Sequence, residues 1–457
     1  MKTRFAHPMP FLALIAAALL AFGCSAGEPS GDPPGDQDRP PPPKTAHVSY
    51  LTADEDREES DASKADLEQL VSDHSSFALW MYHRGIEATG VEENMLFSPL
   101  SISTAFSLLW PGAVGETAEE IAQMLHFHME PDSFHPAGNL LDRELASRND
   151  YEPGDDEGDA PILEIVNDLW GLDDYPYVDE FLELLARHYG AGMWIVDFRN
   201  AAEAARQEIN EYIAYKTRDL IEELLPPTSI DSLTRLVLTN AIYFKGAWLD
   251  PFEEEATRDE AFTALDGTTT DVPMMRGRVD RASYADLDGA EAVELPYVGR
   301  DLSMVLILPD EGTFAEFEAG LDAGALSNVF DELSPMEGVL VMPRFEFDSE
   351  LDLRDIFEDA GFNVLFTPSE ADFSGLSEIA LEEELHVTGA FHKAAIAVDE
   401  EGTEAAAATA IVVGRESAPA EVFNVTLDRP FLFVIRDRPT DTLLFIGRMV
   451  DAGAAQG

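Results

Sequence analysis

The order of predicted secondary structure along the chain constrains the fold more than any other feature. Apolar residues recur at helical spacing through much of the first half, whereas most of the predicted strands lie in the second half. No internal repeat divides the 457 residues, and no second linker follows residue 66. A series of helices followed by many non-local strands predicts one α+β domain built around a large sheet.

The periodic segments give specific expectations for the individual elements. Helices are predicted over 65–86, 101–109, 117–125, 178–189, 201–225, 314–321 and 350–360. Strands are predicted over 162–172, 194–198, 236–243, 292–297, 303–308, 338–347, 385–391 and 443–450. Residues 147–159 are acidic and contain Pro and Gly, which indicates a loop insertion rather than a domain boundary.

The N-terminus has the pattern of a secretory signal. Lys2 and Arg4 precede an apolar run over 11–22, which is shorter than the roughly 20 residues that a membrane-spanning helix needs. The run ends in Leu-Ala-Phe-Gly-Cys24, which resembles a bacterial lipobox. Residues 1–23 are therefore predicted to be a lipoprotein signal peptide, with Cys24 lipidated. The alternative is an ordinary signal peptide that is cleaved near Ala26.

A proline-rich and acidic segment follows over residues 24–65. Prolines fix φ and remove backbone donors, while the like charges resist collapse, so this segment is predicted to be an extended, partly polyproline tether. Two or more acyl chains on the cysteine would give a stable anchor. We therefore expect the chain to be held by lipid at the cell envelope, either facing the periplasm at an outer membrane or exposed at the cell surface.

Charge and cysteine content exclude several classes of protein. The chain carries 29 basic and 89 acidic residues, a formal net charge of −60, so its surface repels nucleic acid. Cys24 is the sole cysteine, so an intramolecular disulfide is impossible and packing must supply the stability. His126, His128 and His135 lie close in sequence, but further ligands at useful spacing are lacking. A solvated loop is the preferred interpretation, and neither a metal nor a cofactor is predicted.

Several sequence motifs, in order along the chain, resemble those of the serpin family of serine protease inhibitors. They are NMLFSPLSISTAF at 94–106, LTNAIYFKGAW at 238–248, FHKAAIAVDEEGTEAAAAT at 391–409, and DRPFLFVI at 428–435 closing with LFIGR at 444–448. The resemblance covers residues 66–453. It implies the serpin fold, in which helices pack around a large central sheet with two further sheets, and an exposed reactive-centre loop at about 400–422.

The resemblance also implies a mechanism. A target serine protease cleaves the loop and forms a covalent acyl-enzyme, and the freed loop then inserts as a new central strand of the sheet. The chain would act as a monomeric suicide substrate that performs no turnover, so it is not expected to be an enzyme. The alternative is a non-inhibitory serpin that acts as a binding or storage protein at the cell envelope.

The segment that would insert first, the hinge, is rich in small residues. Alanine is the best helix former, so a surface helix is the alternative interpretation, but the run has no amphipathic face. Small side chains suit a strand that enters a packed sheet. Strand alternation places Thr403, Ala405, Ala407 and Thr409 on one buried face. The hinge residues implied by the resemblance are Glu400, Gly402, Thr403, Glu404, Ala405, Ala406, Ala407 and Ala408.

Ser98, Ser101, Asn240 and His392 match a polar cluster, the shutter, that in serpins lies under the strands that part during insertion. Buried polar groups there must stay hydrogen-bonded as the sheet opens. The alternative is a catalytic Ser–His pair. A Gly-x-Ser-x-Gly nucleophile elbow surrounds neither serine, which argues against catalysis.

The family's usual loop length places the reactive bond between Glu416 and Ser417. Glu416 would attract a glutamate-specific protease. The bond between Arg415 and Glu416 is nearly as good a candidate and would attract a trypsin-like enzyme. A third option is cleavage after Val413 by elastase-like or subtilisin-like enzymes.

Overall fold

The computed structural model describes residues 48–154, 158–403 and 422–456. Local sequence explains where the longest helix begins: the Ser63 side chain accepts from the Asp66 N–H, and the Asp66 carboxylate accepts from the Ser63 N–H, which together form a capping box. The helices are α1 (Lys64–Thr89), α2 (Pro99–Leu109), α3 (Glu116–Met124), α4 (Pro131–Ala146), α5 (Asp179–Tyr189), α6 (Phe198–Lys216), α7 (Phe314–Ala319), α8 (Ala323–Glu332) and α9 (Leu353–Asp359).

The strands lie in a different order in space than in sequence. They are β1 (Val48–Leu51), β2 (Met95–Phe97), β3 (Ile162–Leu172), β4 (Met193–Val196), β5 (Leu236–Ala247), β6 (Arg258–Thr263), β7 (Thr269–Val279), β8 (Ser283–Leu287), β9 (Ala290–Pro296), β10 (Leu302–Pro309), β11 (Ser334–Pro335), β12 (Gly338–Pro343), β13 (Phe345–Asp352), β14 (Gly389–Val398), β15 (Gly402–Thr403), β16 (Phe423–Thr426), β17 (Phe431–Asp437) and β18 (Thr442–Met449).

Among the described residues these strands form three sheets. Sheet A has the order β1-β4-β3-β5-β15-β14-β13, sheet B the order β11-β8-β9-β10-β17-β18-β2, and sheet C the order β16-β12-β7-β6. Sheets A and B share one core, because Phe345 of sheet A packs on Phe433 of sheet B with ring centroids 5.6 Å apart. Helix α2 contacts β3, β5 and β18 and so lies between these sheets. The predicted α+β class with a large sheet is confirmed.

The centre of sheet A has an unusual pairing pattern. Strands β5 and β14 run parallel and pair directly over Val237–Asn240 and Gly389–His392. At the other end of the same strands, β15 lies between them, with Thr403 paired to both Gly246 and Val398. The two parallel strands are therefore joined at one end and separated by a third strand at the other.

Several predicted boundaries are wrong for identifiable reasons. The helix predicted over 201–225 ends at Lys216, because Arg218 and Asp219 take left-handed φ values of 54° and 67°. The strand predicted over 385–391 begins only at Gly389, since the Val387 N–H donates to the Leu365 carbonyl instead of to the sheet.

The region predicted as one strand over 338–347 consists of β12 and β13. They separate at Arg344, whose N–H donates to the Pro273 carbonyl. Strand β13 then continues to Asp352, so the helix predicted over 350–360 starts later, at Leu353, where Asp352 caps it. Helices α4 and α8 were not predicted.

The predicted tether is shorter than expected at its C-terminal end. Val48–Leu51 forms β1, which pairs antiparallel with β4 at the edge of sheet A. The following residues contact α4 and α5: Arg57 forms an ion pair with Asp142 at 2.7 Å, and the Glu58 N–H donates to the Arg187 carbonyl. The β-branched and aromatic side chains of β1 suit an edge strand, so composition alone was misleading here.

Within the described ranges, no helix combines the length and the apolarity that a bilayer crossing requires. Cys24 and the signal segment lie outside the described residues.

Candidate functional site

The hinge begins with a tight turn at the end of β14. The Asp399 carboxylate accepts from the N–H groups of Glu401 and Gly402 at 2.9 and 3.0 Å, and the Asp399 N–H donates to the Gly402 carbonyl. Burial raises the pKa of Asp399. A Cβ atom at Gly402 would lie 2.1 Å from the Gly246 carbonyl oxygen, so only glycine fits where the chain enters the sheet.

Backbone and side-chain donors hold the turn against the residues that directly follow β5. The N–H groups of Trp248 and Phe252 donate to the carbonyls of Glu401 and Glu400, both at 2.8 Å. The Trp248 indole N–H donates to the Asp399 carbonyl at 3.0 Å, and its ring stacks on Tyr297 with centroids 4.6 Å apart. The position of the hinge is therefore fixed by several independent contacts.

Glu400 is a buried carboxylate with two partners. The Thr257 hydroxyl donates to its Oε1 at 2.6 Å, and the Arg344 guanidinium lies 3.8 Å from its Oε2. A buried charge must be paired or hydrogen-bonded to be tolerated. These contacts provide both and hold the base of the hinge to the residue before β6 and to the residue after β12.

Thr403 already occupies a buried position in sheet A. It is 2% exposed, and its hydroxyl lies 2.8 Å from that of Tyr297. The prediction of an exposed loop from about residue 400 is therefore wrong for Glu400, Gly402 and Thr403, because the separated ends of β5 and β14 offer backbone partners to β15. Outside the described residues lie Glu404, Ala405, Ala406, Ala407, Ala408, Thr409, Val413, Arg415, Glu416 and Ser417.

The structure brings together all four predicted shutter residues, and each is fully buried. Ser98 caps α2, its Oγ accepting from the Ser101 N–H at 3.1 Å, while the Ser98 N–H donates to His392 Nε2 at 3.0 Å. His392 Nδ1 hydrogen-bonds to Asn240 Oδ1, its register partner on β5. The cluster thus connects α2 to the two parallel strands where they pair directly.

The hydrogen bonds define the state of the His392 ring. Nε2 faces a backbone N–H and must accept, so Nδ1 carries the proton and donates to Asn240 Oδ1. Burial lowers the pKa of His392 to about 3, which keeps the ring neutral at physiological pH. The Nδ2 atom of Asn240 is buried and has no hydrogen-bond partner among the described residues.

Sequence reasoning missed Asn167, which lies opposite Asn240 in the antiparallel pair of β3 and β5. Its side-chain amide lies 3.1 Å from Ser101 Oγ. With the amide nitrogen turned toward α2, it also donates to the Ser101 carbonyl at 3.0 Å. The strand predicted over 162–172 includes this residue, but its contact with Ser101 depends on the pairing register.

The arrangement does not form a nucleophile–base pair. The Oγ of Ser98 is used as a helix cap, and His392 contacts the backbone N–H of that residue instead of its hydroxyl. Ser101 Oγ contacts Asn167. A catalytic serine needs its hydroxyl within hydrogen-bond reach of the base and open to a substrate, and neither Ser98 nor Ser101 meets this requirement.

The three neighbouring histidines have separate environments. His128 lies at the surface and binds Asp73, whereas His126 packs on the Trp80 ring. His135 was predicted to lie in a solvated loop, and this is wrong: it is buried in α4, where its Nδ1 lies 2.7 Å from the Tyr189 hydroxyl. In the part of the chain that the structure describes, no group of three or more His, Cys, Asp or Glu side chains is arranged to hold a metal ion.

Comparisons with known proteins agree with this architecture. A family model described as serpin (serine protease inhibitor) matches residues 72–452. An uncharacterized serpin-like protein of Thermococcus kodakarensis is 36% identical, over 96% of this chain and 98% of its own length. Leukocyte elastase inhibitor A of Rattus norvegicus is 36% identical, over 84% of this chain and 99% of its own length.

Antithrombin-III of Homo sapiens is 32% identical, over 88% of this chain and 86% of its own length. Among solved structures, the thermophilic serpin tengpin in its native state superimposes with a TM-score of 0.75 at 24% identity, covering 89% of this chain and all of that one. The chain belongs to the serpin family.

Proposed function

We propose that this chain is a suicide-substrate inhibitor of serine proteases, which traps the acyl-enzyme by inserting its cleaved reactive loop into sheet A. The observation that carries the proposal is the position of β15, whose two residues already lie between β5 and β14. The names of its relatives antithrombin-III and leukocyte elastase inhibitor A support an inhibitory role.

The proposal requires a place in sheet A for a longer inserted strand. In the described pairings, residues 241–245 of β5 bond to β3, and residues 393–397 of β14 bond to β13, while their facing edges do not pair with each other. Five positions of each strand therefore separate β15 from the first direct pair of β5 and β14. We call these two facing edges the open lane.

The register of β15 determines which residues would fill the open lane. β15 is antiparallel to both neighbours, so each step along the loop moves one residue back along both strands. Glu404 would lie between Lys245 and Ala397, and Ala408 between Ala241 and Lys393. Alanine at four of these five positions suits a strand that enters an already packed sheet.

Insertion beyond the open lane requires the direct pairs of β5 and β14 to separate. Those four pairs begin at Asn240 and His392, so the shutter is the first obstacle that the loop meets. A form that is held back by such a barrier is kinetically trapped, and cleavage releases it. Each residue that inserts gains ladder hydrogen bonds and burial.

The chemical step belongs to the protease. Its serine attacks the scissile carbonyl, the peptide bond breaks, and the new amine leaves with residues C-terminal to the cut, so that the acyl group remains on the protease. The loop N-terminal to the cut then inserts and carries the bound protease to the far end of sheet A. Deacylation fails because the protease active site is distorted there.

The length of β5 favours a reactive bond after Glu416 or Arg415 over one after Val413. If the register of β15 continues, Val413 lies opposite Leu236, the first residue of β5. A cut after Val413 would leave the protease ester inside the sheet. Cuts after Arg415 or Glu416 leave two or three residues to extend beyond it, so these two sites remain the candidates.

We also propose that Cys24 is lipidated and that the tether holds the inhibitor at the cell envelope. The positively charged start, the short apolar run and the lipobox-like end support this. The target would then be a protease that reaches the envelope.

The test is incubation of the full chain with glutamate-specific, trypsin-like and elastase-like serine proteases, followed by a denaturing gel. A band that resists SDS is expected with one of the first two, and its released C-terminal fragment should begin at Ser417 or at Glu416 by mass spectrometry. Cleavage without any SDS-resistant band across the panel would favour a non-inhibitory binding protein. A fragment that begins at Gly414 would identify Val413 instead.

A further inference from the structure

The N-terminal strand fixes the end of the molecule from which the chain continues back to Cys24. β1 pairs with β4, and Val48, its first residue, lies opposite Val196. Val196 is level with Leu172 at the end of β3, and the Leu172 N–H donates to the carbonyl of Arg235, directly before β5. Val48 therefore lies at the end of sheet A where β5 starts, which we call the proximal end.

The hinge lies at the opposite end of the same sheet, which we call the distal end. β5 runs from Leu236 at the proximal end to Ala247, and Gly402 pairs with Ala247 where β15 enters. The 12 residues of β5 rise by about 3.3 Å each, which separates the two ends by about 40 Å. Thr403, after which the reactive loop continues, therefore lies far from Val48.

Contacts of β1 and of the residues after it hold this exit point in place. The Tyr50 ring packs on Trp194 with centroids 4.8 Å apart, and the Tyr50 hydroxyl accepts from the Gly192 N–H at 2.5 Å. Further along the chain, Arg57 pairs with Asp142 of α4. The chain toward Cys24 thus leaves the domain at a defined point of the proximal end.

We propose that the proximal end of the anchored inhibitor faces the lipid bilayer, and that trapping moves the protease from the distal end to this lipid-facing end. This inference rests on the proposed function, namely on lipidation of Cys24 and on loop insertion. Because β15 runs antiparallel to β5, an inserting strand carries the protease from the Ala247 end of β5 toward the Leu236 end. The proximal end therefore meets both a lipid headgroup layer and the trapped protease.

The dimensions of sheet A place the trapped protease next to the anchor point. The strands β4, β3 and β5 lie between β1 and the inserting strand, so four spacings of about 4.8 Å separate the two by about 19 Å. A protease domain of about 200 residues is roughly 40 Å across. Because this width exceeds the separation, the trapped protease occupies the space in front of Val48, between the inhibitor and the bilayer.

The tether is long enough to admit a protease at this place. The residues between Cys24 and Val48 are 25–47, and at about 3.3 Å per residue they span at most about 80 Å. This is roughly twice the width of the protease. Without residues 28–43 the span is at most about 27 Å. The deletion therefore holds the proximal end near the headgroups and sharpens the difference in height between the two ends.

The experiment measures the height of a dye-labelled protease above vesicles of zwitterionic and anionic phospholipid, by energy transfer to a headgroup acceptor. The lipidated parent and the lipidated 28–43 deletion are reconstituted into these vesicles. A protease whose catalytic serine is replaced by alanine docks on the loop without acylation and reports the distal position, whereas active protease reports the trapped position. Trapping should move the dye by up to about 40 Å toward the lipid, so transfer should rise, most clearly in the deletion variant.

A second measurement reports the orientation of the uncleaved inhibitor without a protease. Because lipid would block Cys24, a cysteine introduced elsewhere is the only free thiol. Leu233 is exposed at the proximal end, directly before the residues that lead into β5, and Glu254 is exposed near the hinge, where the Phe252 N–H donates to the Glu400 carbonyl. A dye on Leu233→Cys should transfer more strongly than one on Glu254→Cys.

Failure of this inference and failure of the proposed function give different results. Transfer from the trapped protease that is no stronger than from the docked protease would overturn the orientation while trapping stands. Equal transfer from the two label positions in the deletion variant would overturn it too. The Cys24→Ala variant should trap protease in solution and show no transfer. If that variant stays on the vesicles, the anchor is overturned, and a lipidated parent that forms no SDS-resistant complex would overturn the inhibitory function itself.

Discussion

The hydroxyl groups of Thr403 and Tyr297 lie 2.8 Å apart inside the protein, at the point where β15 enters between β5 and β14. Thr403 is 2% exposed and Tyr297 is fully buried. In the proposed mechanism, the first residue of the inserting strand is therefore in place before cleavage. Insertion would add the loop residues beyond Thr403 to a strand that the uncleaved chain has already begun.

Replacing Thr403 with Arg should turn the inhibitor into a substrate. An unpaired charge at this buried position costs several kcal/mol, so β15 leaves the sheet and the protease deacylates before insertion. Because Thr403 is already buried in sheet A, the guanidinium midpoint for unfolding of the uncleaved protein should fall as well. Thr403→Ser keeps the hydroxyl and is the control. An Arg variant that traps protease as well as the parent would contradict this mechanism.

The Glu400 contacts should contribute unequally to stability. Glu400→Gln keeps an acceptor for Thr257 and loses only the pair with half-exposed Arg344, so it should cost less than about 1 kcal/mol. Glu400→Ala leaves the Thr257 hydroxyl unpaired and should cost about 1–3 kcal/mol. Guanidinium unfolding measures both, with Glu346→Ala on the exposed face of β13 as the control. Equal losses for Gln and Ala would show that the charge dominates.

Cleavage of the reactive loop should raise thermal stability sharply. In the proposed mechanism, the inserted loop would add a central strand with hydrogen bonds on both sides. The measurement is a melting curve before and after limited proteolysis between residues 411 and 420. Cleaved Thr403→Arg, whose strand cannot enter, should show no rise. An unchanged melting temperature for the cleaved parent would remove the argument that the uncleaved form is strained.

Stability should fall as the pH drops below 6.5. Burial lowers the pKa of His74 to about 4, and those of His135 and His392 to about 3. Below pH 6.5 these histidines become protonated in the unfolded chain while they stay neutral in the folded chain. Each of them therefore lowers the free energy of unfolding by up to about 1.4 kcal/mol per pH unit. Burial raises the pKa of Asp168 to about 6, and this carboxyl acts in the opposite direction between its unfolded and folded values.

The histidine contribution can be isolated with His135→Gln. Between pH 4.5 and 6, the slope of unfolding free energy against pH should be smaller than in the parent by the equivalent of about one proton, which is about 1.4 kcal/mol per pH unit. This difference does not depend on the absolute stability of the variant. An unaltered slope in the His135 variant would mean that this ring titrates normally in the fold.

Changing Cys24 to Ala should release the chain from the membrane fraction or stall its processing, because the acyl chains supply the anchoring energy. Fractionation and immunoblotting measure this, with Ser25→Ala, which leaves the cysteine intact, as the control. A Cys24 variant that fractionates with membranes as the parent does would contradict the lipid anchor.

The sequence determined the family and the general architecture, because four motifs and the helix-then-strand order are local patterns that can be read directly. It also indicated that the Thr403 face of the hinge would be buried, since alternation is a property of a strand itself. The charge and the single cysteine followed from composition alone.

Tertiary structure decided the contacts between distant segments. It placed Val48–Leu51 in sheet A, where composition predicted a tether, because an edge strand gains its stability from β4. It brought Asn167 to Ser101 and buried His135 against Tyr189. It also seated Thr403 between β5 and β14 before cleavage. Each of these depends on the free energy of pairing or burial against a non-local partner, which no local pattern contains.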